Sequence, residues 1–287
     1  MIARFLFGLA LALGLTACQR EPVRDWPAPS PALWHVTGPD GAEGWLFGTV
    51  HALPEGVEWE TPLLSDALGK AGLLQVEIAE LNDTTGASEA FEALAHSSHL
   101  PPLLDRFDPA RRSEVADLLA ASGLAEGDFA DVETWAAALM LSGSGRVGDP
   151  ALGVDRALLR RGPPAEGLED HRSQLAIFDT LPAAEQTDLL VAVARETASD
   201  DGEQALEDWL RGDLAALERR ADAGMMGDPE LREALMDGRN RAWVERISAA
   251  ITADRKPFVA VGAAHMLGPQ GLPALLAARG YIVTRIQ

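Results

Sequence analysis

Two histidines stand in the same short setting near opposite ends of the chain. Gly48-Thr49-Val50-His51 closes the apolar run Trp45-Leu46-Phe47, and Gly262-Ala263-Ala264-His265 closes Phe258-Val259-Ala260-Val261. A GxxH string alone is weak, because it arises by chance in many chains. Here each copy follows a strand-like run and leads through a loop with Pro and Gly into an apolar helical stretch and a second strand-like run. The first copy continues through residues 61–71 to 73–78, the second through 272–278 to 281–286. Two histidines leaving two strand ends can meet at one site. Gly48 and Gly262 permit a tight exit from the strand, or close approach of backbone or ligand.

Glu77 is the third candidate. It lies in Gln75-Val76-Glu77-Ile78-Ala79-Glu80, where alternation puts Val76 and Ile78 on one strand face and Gln75, Glu77 and Ala79 on the other. A carboxylate in an apolar strand is costly to bury unless it is paired or binds a metal. The bland alternative is a solvated edge Glu. Two neutral imidazoles and a carboxylate suit a divalent transition metal with positions left for water, which would then lose a proton more easily and become a nucleophile. No HExxH string is present, so an ordinary zincin is excluded.

Weaker candidates follow. Arg239, in Asp237-Gly238-Arg239-Asn240-Arg241-Ala242-Trp243, could stabilise an oxyanion, and Asn240 could orient water or substrate. On chemistry alone a solvated helix face is the better reading of both. Glu169 and Gln174 are expected to support the ligands or to cap a helix. His96 and His99 form an HxxH without a carboxylate at useful spacing and just before Pro101-Pro102, so they are read as surface. No Gly-rich phosphate loop and no GxSxG string occurs.

These residues need a scaffold. Residues 33–37, the turn Gly38-Pro39-Asp40-Gly41 and residues 44–50 read as a β-hairpin. From 87 to 253 the pattern is mostly helical and rich in Ala and Leu. Asp108-Pro109 and Asp228-Pro229 are helix starts, residues 229–253 read as one helix, and 165–169 as a short strand. The expected fold class is therefore α/β: one mixed sheet built from the N- and C-terminal strand–GxxH–helix–strand units, with a large helical insertion at 87–253. Both histidines should lie at the same rim of the sheet, where ligands bind in open α/β folds.

The totals set limits. The chain has 287 residues and a net charge of −20 with no basic stripe, which argues against a nucleic-acid partner. Its one cysteine, Cys18, follows a short basic start, about eleven apolar residues and small residues. That run is too short to span a bilayer. Leu15-Thr16-Ala17-Cys18 resembles a bacterial lipobox, so residues 1–17 are expected to be a lipoprotein signal peptide and Cys18 the acylated residue. Gln19 suggests, by the same resemblance, the outer membrane. The Pro-rich stretch through residue 32 is expected to be a tether between this membrane anchor and a folded domain at 33–287. With no second cysteine, no intrachain disulfide can form.

Leu46 to His51, Val76-Glu77-Ile78, Gly153-Val154-Asp155, Gly167-Leu168-Glu169, Arg239-Asn240 with Trp243, and Val261 to His265 followed by Gly271-Leu272 together resemble the TraB/GumN family, to which the animal Tiki proteins are related. The resemblance covers residues 33–287. It implies an α/β core with a helical insert, distantly similar to erythromycin-esterase-like proteins. It also implies metal-dependent proteolysis supported by manganese or cobalt, and essential residues at His51, Glu77 and His265; apart from the resemblance, zinc and iron are the further candidates among divalent transition metals. It raises Arg239, Asn240 and Glu169 as site residues. Gln174 matches less well, since Asp170-His171 departs from the family's Thr after Glu. The expectation is a lipid-anchored periplasmic metallohydrolase acting on a peptide or protein of the cell envelope, in which Glu77 either binds the metal or serves as the general base. Its rivals are a non-catalytic metal- or haem-binding envelope protein and a hydrolase of esters.

Overall fold

The computed structural model describes residues 24–144, 147–199 and 201–287. The expected signal peptide at 1–17 and Cys18 lie outside the described residues. The part of the expected tether that is described, 24–32, has no helix or strand and lies against the folded body. Arg24 pairs with Glu203 and Glu207, and the Ser30 N–H donates to the Leu210 carbonyl at 2.7 Å.

The hairpin forms as its sequence dictates. Strands β1 (Leu33–Thr37) and β2 (Glu43–Thr49) pair antiparallel, and Gly41 takes a positive φ of 80° in the turn. Helix α1 (Pro62–Lys70) starts where Thr61 accepts the Leu64 N–H and Pro62 occupies the first turn. It leads into β3 (Leu73–Ile78). Helices α2 (Thr84–Leu94), α3 (Pro109–Ser122), α4 (Thr134–Leu141) and α5 (Val154–Arg161) precede β4 (Ala165–Glu169). Then come α6 (His171–Asp179), α7 (Ala183–Ala198), α8 (Gly202–Leu210), α9 (Leu214–Ala223), α10 (Pro229–Arg232) and α11 (Gly238–Thr252). Strand β5 (Pro257–Gly262), a 3-10 turn at Ala263–Met266, α12 (Leu272–Ala278) and β6 (Ile282–Arg285) end the chain.

The strand order is β4-β3-β5-β2-β1-β6, with β4, β3, β5 and β2 mutually parallel and the β2–β1 and β1–β6 pairs antiparallel. The fold is thus α/β with one mixed sheet. In the β2–β5 pair Gly48 faces Val261 and Thr49 faces Gly262, so both GxxH strings leave the same sheet edge from neighbouring strands. One sheet face buries Phe47, Val76 and Phe258 under α1, α5 and α8; the other buries Leu46, Val259 and Val261 under α11 and α12.

The stretch 87–253 is not one body laid beside the sheet. Helices α3, α4, α7 and α10 share a separate core around Trp135, Leu118 and Leu190, whereas α5, α8 and α11 cover the sheet and β4 extends it. The helix expected at 229–253 forms without interruption, but it widens into a π turn at Glu233–Asp237, just before Arg239. Apolar spacing predicts a helix over Ser88–His96; α2 starts four residues before that, because Asp83 caps it, and stops at Leu94. His96 therefore leaves the helix and forms a bridge to Val132; both it and His99 are exposed.

Candidate metal centre

Strand β3 delivers Glu77, the 3-10 turn after β5 delivers His265, and the loop after β2 delivers His51. Gly262 forms the floor beneath all three. A Cβ built there would lie 3.3 Å from Glu77 Oε1, 3.6 Å from His51 Nε2 and 3.8 Å from His265 Cδ2. Its missing side chain leaves the space into which the three groups point. The Gly262 N–H also donates to Glu77 Oε1 at 2.9 Å. Gly48 has the other role expected of these glycines: a Cβ there would come within 2.9 Å of the Ala263 backbone. The two GxxH strings pack at this point, and the Trp209 indole N–H binds the Gly48 carbonyl at 2.8 Å.

The two imidazoles are held alike by unlike partners. His265 Nδ1 lies 2.7 Å from Asn240 Oδ1, while Asn240 Nδ2 donates to the Gln270 carbonyl at 2.9 Å. That second bond fixes the amide orientation, so His265 carries its proton on Nδ1 and presents Nε2 as a lone pair. His51 Nδ1 lies 2.8 Å from Asp155 Oδ2, and Asp155 Oδ1 accepts the Thr49 hydroxyl at 2.6 Å. A carboxylate acceptor puts the proton of neutral His51 on Nδ1 as well. The rings differ in exposure: the His265 side chain is 2% exposed and that of His51 is 70% exposed. The site is closed on the His265 side and open on the His51 side.

Arg239 fills a different place from the one expected. Its Nε donates to Glu169 Oε1 at 2.9 Å, and its Nη2 donates to Glu169 Oε2 at 2.8 Å and to Glu77 Oε2 at 2.7 Å. Nη1 donates to the Leu235 carbonyl at 3.0 Å and lies 3.4 Å from His265 Nε2. Four of its five N–H groups are bound to Glu169, Glu77 and the Leu235 carbonyl, and the fifth lies toward the His265 Nε2 that an ion would take, so Arg239 is first of all a clamp on two carboxylates. Trp243 completes the clamp: its ring lies under the guanidinium, with 4.6 Å from Cζ to the centroid, and its N–H reaches Glu169 Oε1 at 3.1 Å. Asn240 likewise departs from expectation. It is buried with its amide committed to His265 and Gln270, so it orients a histidine and does not reach the open side of the site.

Electrostatics follow from this arrangement. Burial works against charge on Glu77, but His265, Arg239, His51 and the Gly262 N–H outweigh it and hold the carboxyl at about 2. Burial is also the main force on His265, lowering it to about 3 against the pull of Glu77. His265 is thus neutral at pH 7, and Arg239 is the standing cation opposite Glu77. Burial opposes the Arg239 charge too, but Glu169 and Glu77 raise its pKa.

Donor chemistry fits a divalent transition ion: two imidazole nitrogens of fixed tautomer and one ionised carboxylate, each supported by a hydrogen-bonded neighbour. His265 Nε2 and Glu77 Oε1 are 3.9 Å apart, a span that two bonds of ~2.0–2.2 Å to one ion can bridge. Among the described residues one acidic trio, Glu185, Asp188 and Asp228, is drawn together more tightly, with ligand atoms all within 4.8 Å. There, however, Asp228 caps α10 and Asp188 pairs with Arg111.

Sequence reasoning brought His51, Glu77, His265, Gly262, Arg239, Asn240 and Glu169 to one place. It assigned no role to Asp155, although the Gly-Val-Asp string marked it, and it ranked Gln174 low. Gln174 Nε2 donates to Glu77 Oε2 at 3.1 Å. A model of the TraB/PrgY/gumN family matches residues 32–285. No curated protein and no solved structure matches the chain.

Proposed function

The chain belongs to the TraB/PrgY/gumN family, and from that premise we propose that it is a metal-dependent hydrolase of peptide bonds, anchored by lipid at Cys18 on the periplasmic side of a bacterial envelope. The observation that carries the reading is the paired support of the histidines. Each ring is tied through Nδ1 to a buried acceptor, Asn240 or Asp155; His51 Nε2 lies 3.6 Å from a Cβ placed on Gly262, and His265 Nε2 lies 3.9 Å from Glu77 Oε1. Such backing fixes tautomer and orientation, as metal-ligating histidines require.

His51, His265 and Glu77 Oε1 would hold the ion, with manganese or cobalt as first choices. When bound, the ion supplies Lewis acidity to water and to a substrate carbonyl. The chain's own residues supply the rest. Glu77 is kept anionic and oriented by Arg239, Gln174 and the Gly262 N–H. Glu169 and Trp243 keep Arg239 in place, so its charge is fixed before substrate arrives. His265 lies at the closed end and His51 at the open one, so substrate enters over His51.

The test uses the purified chain, with metal content measured by mass spectrometry and cleavage of a mixed peptide library followed with Mn²⁺, with Co²⁺ and with chelator. His51→Ala and His265→Ala are run in parallel. Metal-dependent cleavage lost in both variants is expected. Metal bound by the wild type through these histidines, with no cleavage of any peptide or ester, would replace the hydrolase with a binding protein. No metal and no turnover in a folded wild type would remove the reading altogether.

A further inference from the structure

A cavity of about 870 Å³ lies between α7, α8 and α9, and one of its walls is the 3-10 turn that carries His265, at Ala263 and Ala264. Its volume falls within the ~300–1,000 Å³ typical of ligand pockets. Neither histidine of the metal centre nor Glu77 lines it. It adjoins the centre through the two residues that separate Gly262 from His265.

The lining narrows the ligand class. Among the described residues the walls carry no His, Cys, Met or Tyr, so no side chain there can serve as an axial ligand to haem iron. They carry no aromatic ring either, so there is no platform for stacking a base. What remains is an alanine-rich floor with charged groups of both signs.

Those charges are not equally occupied. Glu196 accepts the Met225 N–H at 3.0 Å, Asp201 accepts the Ser199 hydroxyl at 2.6 Å, and Asp208 accepts Gln204 Nε2 at 2.9 Å. Asp201 and Asp208 also hold the two ends of the Arg220 guanidinium. Arg195 is taken up by Glu114. On the cationic side, the Arg220 Nε–H is buried without an acceptor, and the exposed Arg219 has no hydrogen bond or ion pair among the described residues. In a chain of net charge −20, the charge left unpaired at this cavity is the positive one of Arg219, since the Arg220 Nε–H is enclosed and its charge is shared by Asp201 and Asp208. Guanidinium groups match carboxylates in shape and charge, and clustered arginines are a recurrent reader of acidic peptide motifs.

We propose that this cavity is a substrate subsite in which Arg219, with Arg220 behind it, receives an Asp or Glu side chain of the polypeptide being cleaved. The inference rests on the peptidase reading of the adjoining centre. It makes that reading narrower: the preferred substrate carries an acidic residue a short distance from the scissile bond.

The test uses the full chain and fluorescein-labelled octapeptide pools, each with one position fixed as Glu or Lys. Binding is read by fluorescence anisotropy with EDTA present, and cleavage separately with Mn²⁺. At one position the Glu pool should bind at least tenfold tighter than the Lys pool. Arg219→Glu, a surface change, should reverse that preference. Ala216→Trp should fill the cavity and weaken both pools tenfold or more, with metal stoichiometry unchanged. If Ala216→Trp fails to fold, Arg219→Glu decides alone. Equal binding of the Glu and Lys pools by the wild type, or an unaltered preference in Arg219→Glu, overturns the proposal. Glu-selective binding without any cleavage would keep the subsite and remove the peptidase. Cleavage indifferent to Glu, Lys and both substitutions would do the reverse.

Discussion

Arg239 Nη2 donates to Glu77 Oε2 at 2.7 Å, joining α11 to β3 across 162 residues of sequence. Both side chains are largely buried, and Glu169 is joined to the same guanidinium. The clamp therefore ties three elements to one charge balance beside the candidate metal centre.

Removing that charge should be felt in stability before activity is considered. Arg239→Ala leaves two buried carboxylates without their cation, and breaking a buried pair from one side costs about 3–5 kcal/mol. Arg239→Lys, a point charge without the planar fork, should recover only part of it. Urea unfolding of the three proteins in chelator measures both losses, and a change below about 1 kcal/mol for Arg239→Ala would contradict the clamp.

Asp155→Asn should weaken metal binding without disturbing the fold. The substitution keeps size but removes the acceptor charge that orients His51 through Nδ1. Loss of such a supporting partner typically lowers metal affinity ~10–100-fold. Thr49→Val, which removes the hydroxyl bonded to Asp155, should act in the same direction and less strongly. Competition titration with a chromogenic chelator gives the two affinities.

Gly262→Ala should separate site from scaffold. The backbone there, at φ −47° and ψ 137°, suits alanine, yet the methyl group would stand 3.3 Å from Glu77 Oε1 and 3.6 Å from His51 Nε2. Metal binding should fall at least tenfold while the thermal midpoint moves little. Gly48→Ala should show the opposite pattern, since its methyl meets the Ala263 backbone and destabilises the junction of the two GxxH strings.

Acid should destabilise the metal-free protein in two stages. His265 is held at about 3 when folded, against 6.5 as its ordinary value, so the unfolded chain takes up a proton first. Its contribution is full above pH 6.5 and is lost as pH falls toward 3. Glu77 is depressed from 4.5 to about 2, so its contribution is lost below pH 4.5, in the same direction. Calorimetric midpoints between pH 7 and pH 4 should fall more steeply for the wild type than for His265→Gln.

Much of the fold was legible because its signals are local. Alternation marked Leu73–Ile78 at its observed bounds, Gly and Pro marked the hairpin turn, and Asp-Pro pairs marked the starts of α3 and α10. The π turn at Glu233–Asp237 was not legible, because helical periodicity continues through it and only packing decides where a helix widens. The start of α2 lies outside its apolar spacing, because the Asp83 cap and not a buried face sets it.

The sequence by itself determined that two histidines would leave strand ends at the same rim of the sheet and that a strand carboxylate, if buried, would need a partner. Those conclusions depend on residue type, period and short spacing, which the chain carries wherever it folds. Which atoms meet was left to the tertiary structure. His51 finds Asp155 across 104 residues, Glu77 finds Gln174 across 97, and Asn240 turns to His265 rather than to solvent. The repeated motif even suggested two equivalent histidines, yet one is enclosed by α11 and Trp243 and the other stands at the open rim. Burial and partner choice set tautomer and charge, and both arise only when distant segments exclude water from the same small volume.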